Sequence, residues 1–156
     1  MRNRVDTVEE FWDQSDINEA YDRSSLNSIE SFASEFCAYL DVKPSSFSFF
    51  PSGRLALQEL LQSRADNRNT VLVPAFNCKC VQSSIRTAGH QIKLYDFSSE
   101  FGCFDWDRII NLITPSIGTV IVTHYFGVPY DFIPLHDFCK KRNIAIIEDC
   151  AHTLGG

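Results

Sequence analysis

Apolar residues along the chain switch between two periods, and the switches mark its elements. Ile29, Phe32, Ala33, Phe36, Cys37 and Leu40 recur at helical spacing behind Asn27, with Glu30 placed to complete a capping box. The spacing predicts a helix from residue 27 to about 40. Ser46-Phe47-Ser48-Phe49-Phe50 then alternates like a strand and is broken by Pro51-Ser52-Gly53. Ser52 is positioned to cap a helix over Arg54–Arg64, whose Ala56, Leu57, Leu60 and Leu61 share a face. Next come a strand at Thr70–Val73, a turn at Pro74–Asn77, a helix over Cys80–Ala88 stopped by Gly89, and a strand at Gln91–Tyr95. A short helix at Asp105–Ile113 and a strand at Thr119–Thr123 follow. The pattern closes with a helix at Asp131–Arg142, which tolerates Pro134 in its first turn, and a strand at Asn143–Ile147.

Val120-Ile121-Val122 and Ile144-Ala145-Ile146-Ile147 are apolar throughout rather than alternating. Strands of that kind, joined by helices, belong to a sheet covered on both faces. The expected fold is therefore α/β, a doubly wound, mostly parallel sheet with helices on both faces. Residues 1–26 are polar and aperiodic, with Phe11, Trp12 and Tyr21 as scattered anchors, and read as an N-terminal arm ahead of one α/β domain over 27–156.

Composition removes several function classes. The 44% hydrophobic and 22% charged residues are ordinary globular usage, which argues against disorder. Fourteen basic against 20 acidic side chains give a formal charge of −6, and no Lys/Arg cluster offsets it, so nucleic acid is not an expected partner. The apolar runs are far shorter than the ~20 residues of a membrane span. The N-terminus has acids where a signal peptide has its apolar core, so a cytoplasmic chain with six reduced cysteines is expected.

In open parallel sheets, ligands bind beyond the carboxyl ends of the strands. Four chemically distinctive clusters fall after predicted strands: Ser52-Gly53-Arg54, Pro74–Cys78, His124-Tyr125-Phe126-Gly127 and Glu148–His152. Gly53 leading into a helix offers free N–H groups to an anion such as phosphate, and Arg54 adds a two-pronged donor, although an ordinary capped turn has the same residues. Asp149 would stand at the mouth of the crevice. There a carboxylate can keep a cofactor's ring nitrogen protonated, as an Asp does for pyridoxal phosphate (PLP), or act as a metal ligand or helix cap. His152 would lie near the same mouth, and Phe76 and Phe126 sit where a ligand could touch them. Cys78, Cys80, Cys103 and His90 lack the paired Cys-x-x-Cys spacing of structural zinc, so no metal is expected. A Cys150–His152 nucleophile pair has no evident orienting group.

In this order and at these separations the clusters resemble the DegT/DnrJ/StrS sugar aminotransferases, a family of fold type I PLP enzymes. The resemblance rests on Ser-Gly-Arg-Leu-Ala-Leu (52–57), Val-Leu-Val-Pro-Ala-Phe-Asn-Cys (71–78), Ala-Gly-His (88–90) with Tyr-Asp (95–96), His-Tyr-Phe-Gly-Val-Pro-Tyr-Asp (124–131) and Ile-Glu-Asp-Cys-Ala-His (147–152). It implies a cofactor site of Ser52, Gly53, Arg54, Cys78, Asp149 and His152, with His124 and Phe126 on the substrate side. Gly53 and Arg54 would take the PLP phosphate, Asp149 the pyridine nitrogen, and His152 the vicinity of the phenolic oxygen. Cys78 departs from the family, which commonly has an aromatic there. The resemblance also implies a homodimer, a keto sugar nucleotide as substrate and an amino-acid donor. The family's Schiff-base lysine follows the segment matching Asp149, and Lys43, Lys79, Lys93, Lys140 and Lys141 match no such motif. The expectation is thus the N-terminal, cofactor-binding part of an aminotransferase, without catalytic residues of its own and inactive alone. The alternative is a non-catalytic remnant or partner protein that keeps the fold and the dimer contacts.

Overall fold

Two runs rich in β-branched residues form the centre of a four-stranded sheet. In the computed structural model, which describes residues 15, 18, 28–64, 67–98 and 103–153, these are β1 (Thr70–Pro74) and β3 (Ile117–Thr123), buried at every position. With β2 (Gln91–Tyr95) and β4 (Ala145–Asp149) they stand in the order β2-β1-β3-β4, all neighbours parallel. From β1 the chain steps to β2 on one side and returns to β3 on the other. This leaves a topological switch point between β1 and β3.

Alternate side chains of the buried strands divide the core in two. Val71, Val73 and Ile121 pack with Leu61 of α2 (Gly53–Gln62) and with Val81 and Ile85 of α3 (Lys79–Thr87). Leu72, Val120 and Val122 pack with Ile109 of α4 (Trp106–Asn111) and with Leu135 and Cys139 of α5 (Ile133–Lys141). Each such buried aliphatic side chain contributes roughly 1.5–3 kcal/mol of transfer free energy. The sheet is doubly wound, with helices on both faces, as the apolar strands imply.

The helix ends follow from local chemistry. Ser52 Oγ accepts the Leu55 N–H at 3.3 Å, and Asp105 Oδ1 accepts the Arg108 N–H at 3.0 Å, so each caps its helix. Gly89 (φ 87°) ends α3 in the left-handed region. Its N–H reaches the Arg86 carbonyl, and the His90 N–H reaches that of Ile85, both at 3.0 Å, which is a Schellman cap. Asn143 (φ 54°) closes α5 the same way, its N–H going to Lys140 O and the Ile144 N–H to Cys139 O.

That cap moves the last strand. The sequence pattern begins it at Asn143, but Asn143 and Ile144 belong to the helix cap, so β4 starts at Ala145 and runs through Asp149. β4 is also only half buried, because it is an edge among the described strands. The alternating segment at 46–50 forms no strand: Pro44–Ser46 is a 3-10 turn, and residues 47–50 join no ladder among the described residues. Alternation alone cannot supply the partner that a strand needs.

The chain divides into two compact units, Met1–Ser48 and Phe49–Gly156, and the sheet lies wholly in the second. The first contains α1 (Ser28–Tyr39), closed by a third Schellman cap at Asp41 (φ 52°). Within it Phe36 packs on Phe32 and Phe47, with ring centroids 5.5 and 5.3 Å apart. Of the arm expected over residues 1–26, only residues 15 and 18 are described, both helical and exposed; Phe11, Trp12 and Tyr21 lie outside the described residues. No helix among the described residues is long and apolar enough to cross a membrane.

Candidate functional site

Parallel strands in register bring three of the four sequence clusters to one end of the sheet. β1 delivers residues 75–78, β3 delivers 124–127 and β4 delivers 150–152. The fourth, Ser52-Gly53-Arg54, follows no strand. It opens α2, and its first turn is tied to α3 by the Ser84 hydroxyl, which donates to the Arg54 carbonyl at 2.9 Å. Ser52, Gly53 and Arg54 are exposed, and a Cβ built on Gly53 meets nothing within 4 Å. The N–H groups of the first turn, apart from that of Leu55, are therefore open to an approaching anion.

Asn77 spans the switch point. Its Nδ2 donates to Thr123 Oγ1 at 2.9 Å, and its Oδ1 accepts the Cys78 N–H at 2.7 Å, so one side chain fixes the loops after β1 and β3 together. In the same loop the Phe76 carbonyl accepts the Tyr125 hydroxyl, and the Ala75 N–H donates to Tyr95 O at 2.6 Å. Burial pushes the Tyr125 phenol up to about 12, with the Asp149 and Asp96 charges adding to the rise and a Thr123 hydrogen bond opposing it. Beneath these loops the rings of Phe97 and Phe104 stack at 4.5 Å, with Tyr125 and Tyr130 against Phe104.

Tyr125-Phe126-Gly127-Val128 turns tightly, with φ of 56° and 80° at its centre and the Val128 N–H on Tyr125 O at 3.0 Å. Positive φ at both central positions is the type I′ pattern, which Gly127 meets without strain. The turn holds Phe126 out at 78% exposure, with its ring 6.2 Å from that of His152. A Cβ on Gly127 would stand 3.9 Å from the His152 carbonyl.

Asp149 is the last residue of β4, paired with Thr123. Its carbonyl accepts the His124 N–H at 3.1 Å, and its Oδ1 accepts the Ala151 N–H at 3.2 Å, which aims the half-buried carboxylate toward the strand end. The hydrogen bond from Cys80 lowers the Cys78 thiol and the same bond raises that of Cys80, while the Asp149 charge reaches both sulfurs and is the weakest influence on each. Cys78, Asp149, Phe126 and His152 thus share one end of the sheet.

His124 is 4% exposed and fully engaged. Its Nδ1 accepts the Tyr130 N–H at 2.9 Å, so Nε2 carries the proton directed at Glu148 Oε2, 3.2 Å away. Cys150 lies beside this pair, and ligand-type atoms of the three residues fall within 4.8 Å of one another. Burial, then the Glu148 and Asp149 charges, pushes the Cys150 thiol up. With the imidazole lone pair committed to Tyr130, the cluster stands as a hydrogen-bonded one. The zinc-type set weighed in the sequence is dispersed: His90 precedes β2 at the far end of the sheet, its ring on the Leu61 carbonyl at 3.3 Å, whereas Cys78 follows the carboxyl end of β1.

Thr123 and Tyr130 were not singled out in the sequence, and Asn77 and Glu148 lay inside its clusters without a role of their own. Glu148 had one signal, its place directly before Asp149. Asn77 and Thr123 bond each other from the loop after β1 to the end of β3, and Tyr130 meets His124 within the loop after β3 through its backbone N–H, which no residue type declares.

The model of the DegT/DnrJ/EryC1/StrS aminotransferase family matches residues 8–156. The chain is 28% identical over 124 residues to a dTDP-4-dehydro-2,3,6-trideoxy-D-glucose 4-aminotransferase of Saccharopolyspora spinosa, covering 77% of this chain and 31% of that protein. It is 25% identical over 144 residues to the GDP-perosamine synthase of Escherichia coli O157:H7, covering 89% and 39%. An E. coli GDP-4-keto-6-deoxy-D-mannose-3-dehydratase, solved with bound hydrated PLP, shares the fold at a TM-score of 0.72 and 17% identity, over 91% of this chain and 39% of that one. The chain spans only 31–39% of the length of these relatives.

Proposed function

The chain belongs to the DegT/DnrJ/EryC1/StrS aminotransferase family, and from that premise we propose that it is the cofactor-holding part of a PLP-dependent aminotransferase. The complete enzyme would act on a keto sugar nucleotide with an amino-acid donor, as a homodimer. The observation that carries this reading is Asp149. It ends β4 beside the end of β3, with one carboxylate oxygen on the Ala151 N–H.

The residues present fit PLP in two respects. The open first turn of α2 (Ser52, Gly53, Arg54) has the N–H donors and the guanidinium that a phosphate needs. Asp149 has the chemistry to hold a proton on a pyridine nitrogen. When bound, PLP supplies an electron sink for the substrate's Cα electrons. Cys78 would border the ring in place of the family's aromatic, and His152 would lie by the phenolic oxygen. Phe126 would offer its exposed ring to the substrate, while His124 supports that side from beneath by holding Glu148 and the 125–130 loop.

The lysines of these residues bear on how the cofactor is held. Lys93 donates to the Leu112 carbonyl at 2.6 Å, Lys140 and Lys141 end α5 at the side of the sheet away from the crevice, and Lys43 belongs to the first unit. Lys79 is the first residue of α3. None of these five lysines stands in a motif that matches the family's Schiff-base loop, so PLP is expected to bind these 156 residues non-covalently. Titration with PLP should show saturable binding that inorganic phosphate competes away, with nothing fixed to a lysine after borohydride reduction. A mapped lysine adduct would overturn the non-covalent claim, and failure to saturate would overturn the cofactor reading.

A further inference from the structure

The loop after β1 leads into a pair of thiols, of which the cofactor reading uses Cys78 only as a neighbour of the ring and Cys80 not at all. Cys78 is the N-cap of α3 and Cys80 lies in its first turn, where the Cys80 thiol donates to the Cys78 sulfur with the two Sγ atoms 3.1 Å apart. A disulfide requires ~2.05 Å, so about 1 Å of approach closes the bond. Among the described residues these are the two cysteines whose sulfurs touch; Cys37 and Cys139 are buried, and Cys103 and Cys150 are exposed elsewhere. Cys78 is exposed, stands where the α3 dipole favours negative charge, and has its N–H fixed by Asn77 Oδ1.

We propose that Cys78 and Cys80 are a reversible redox pair that closes to an intrachain disulfide by exchange with a small-molecule disulfide such as glutathione disulfide. The two sulfurs have distinct roles. The hydrogen bond from Cys80 holds the Cys78 thiol below its ordinary range, while the same bond and then burial push Cys80 up. Cys78 is therefore the attacking thiolate and Cys80 the resolving thiol. The Cys78 thiolate attacks one sulfur of the oxidant, forming a mixed disulfide and expelling one glutathione thiolate, which takes up a proton. The Cys80 sulfur then attacks Cys78 Sγ, releases its proton to solvent and expels the second glutathione thiolate. Two protein thiols are oxidised, and one glutathione disulfide is reduced to two thiols. The step needs these two sulfurs and the disulfide oxidant, and stands whether or not PLP binds.

The test equilibrates the 156-residue chain in glutathione redox buffers, quenches with acid, alkylates free thiols and maps the peptides by mass. The wild-type chain is expected to lose two hydrogens in a peptide that carries Cys78 and Cys80, both unalkylated. Cys80→Ser should stop at a glutathione adduct on Cys78, and Cys78→Ser should form its adduct on Cys80 about tenfold more slowly or worse. Because residues two apart can also meet in an unfolded chain, the same series is run in urea. There closure should need a buffer about tenfold more oxidising than in the folded chain. Alkylation of both cysteines at every glutathione ratio, or folded and unfolded chains closing alike, would overturn the proposal. Equal rates in the two variants would overturn the assignment of roles.

Discussion

Asn77 shows how much of the site depends on single side chains between loops. It bonds Thr123, which is 46 residues away, and the N–H of the residue that follows it. Asn77→Ala is expected to lower stability by about 1–2 kcal/mol, since each lost hydrogen bond counts for about 0.5–1.5 kcal/mol. Urea denaturation of variant and wild type measures this, and an unchanged midpoint would mean the loops hold themselves. In the sequence Asn77 reads as a turn residue, which it is; its reach to Thr123 is tertiary and invisible there. His124 is the converse case. It was legible as a distinctive residue at a strand end, but its contact with Glu148 appears only once β3 and β4 stand side by side, and its bond to the Tyr130 N–H only once the loop after β3 folds back.

At the scale of elements, local chemistry was legible where the residue type declares it. Ser52, Asp105 and Gly89 end or start their helices as their side chains predict. Asn143 and Asp41 take the same left-handed cap as Gly89, yet in sequence they look like the next element's first residue or an ordinary loop. The later start of β4 follows from that ambiguity, while its later end follows from the pairing of Glu148 with Val122 and Asp149 with Thr123, which makes Asp149 a strand residue rather than a loop residue. Asn143→Gly is expected to be neutral or slightly stabilising, whereas Asn143→Val should cost about 1–2 kcal/mol, because a β-branched residue resists positive φ. Equal thermal midpoints for the two variants would show that the cap does not fix the junction. The strand expected at 46–50 failed for another reason: its alternation is real, but no described strand pairs with it.

At the scale of the molecule, burial sets the response to alkaline pH. Burial raises the Cys139 thiol from 9.0 to about 11, the Tyr125 phenol from 10.0 to about 12, and the Tyr95 phenol further still. The unfolded chain therefore loses these protons before the folded one does. The stability they contribute is intact below pH 9 and is lost as pH rises through 9 to 12. Denaturation midpoints should hold near pH 8 and fall steadily above 9. Tyr125→Phe should flatten the fall above pH 10; the same slope in both proteins would contradict the assignment to Tyr125.

The mostly parallel pairing, the apolar core of β3 and the placing of three motif clusters after strands were legible, because apolar runs and motif order are sequence properties; the strand order was not. The two-unit division and the half-exposed edges were not, because they depend on what packs against what. The central claim, that a strand-borne Asp149 holds the pyridine nitrogen of PLP, has a direct measurement: the dissociation constant of PLP for the chain and for Asp149→Asn, with circular dichroism to confirm the fold. Replacing the carboxylate should weaken PLP about tenfold or more, the scale of a lost charge-assisted hydrogen bond. An Asp149→Asn chain that binds PLP as tightly as the wild type would contradict it.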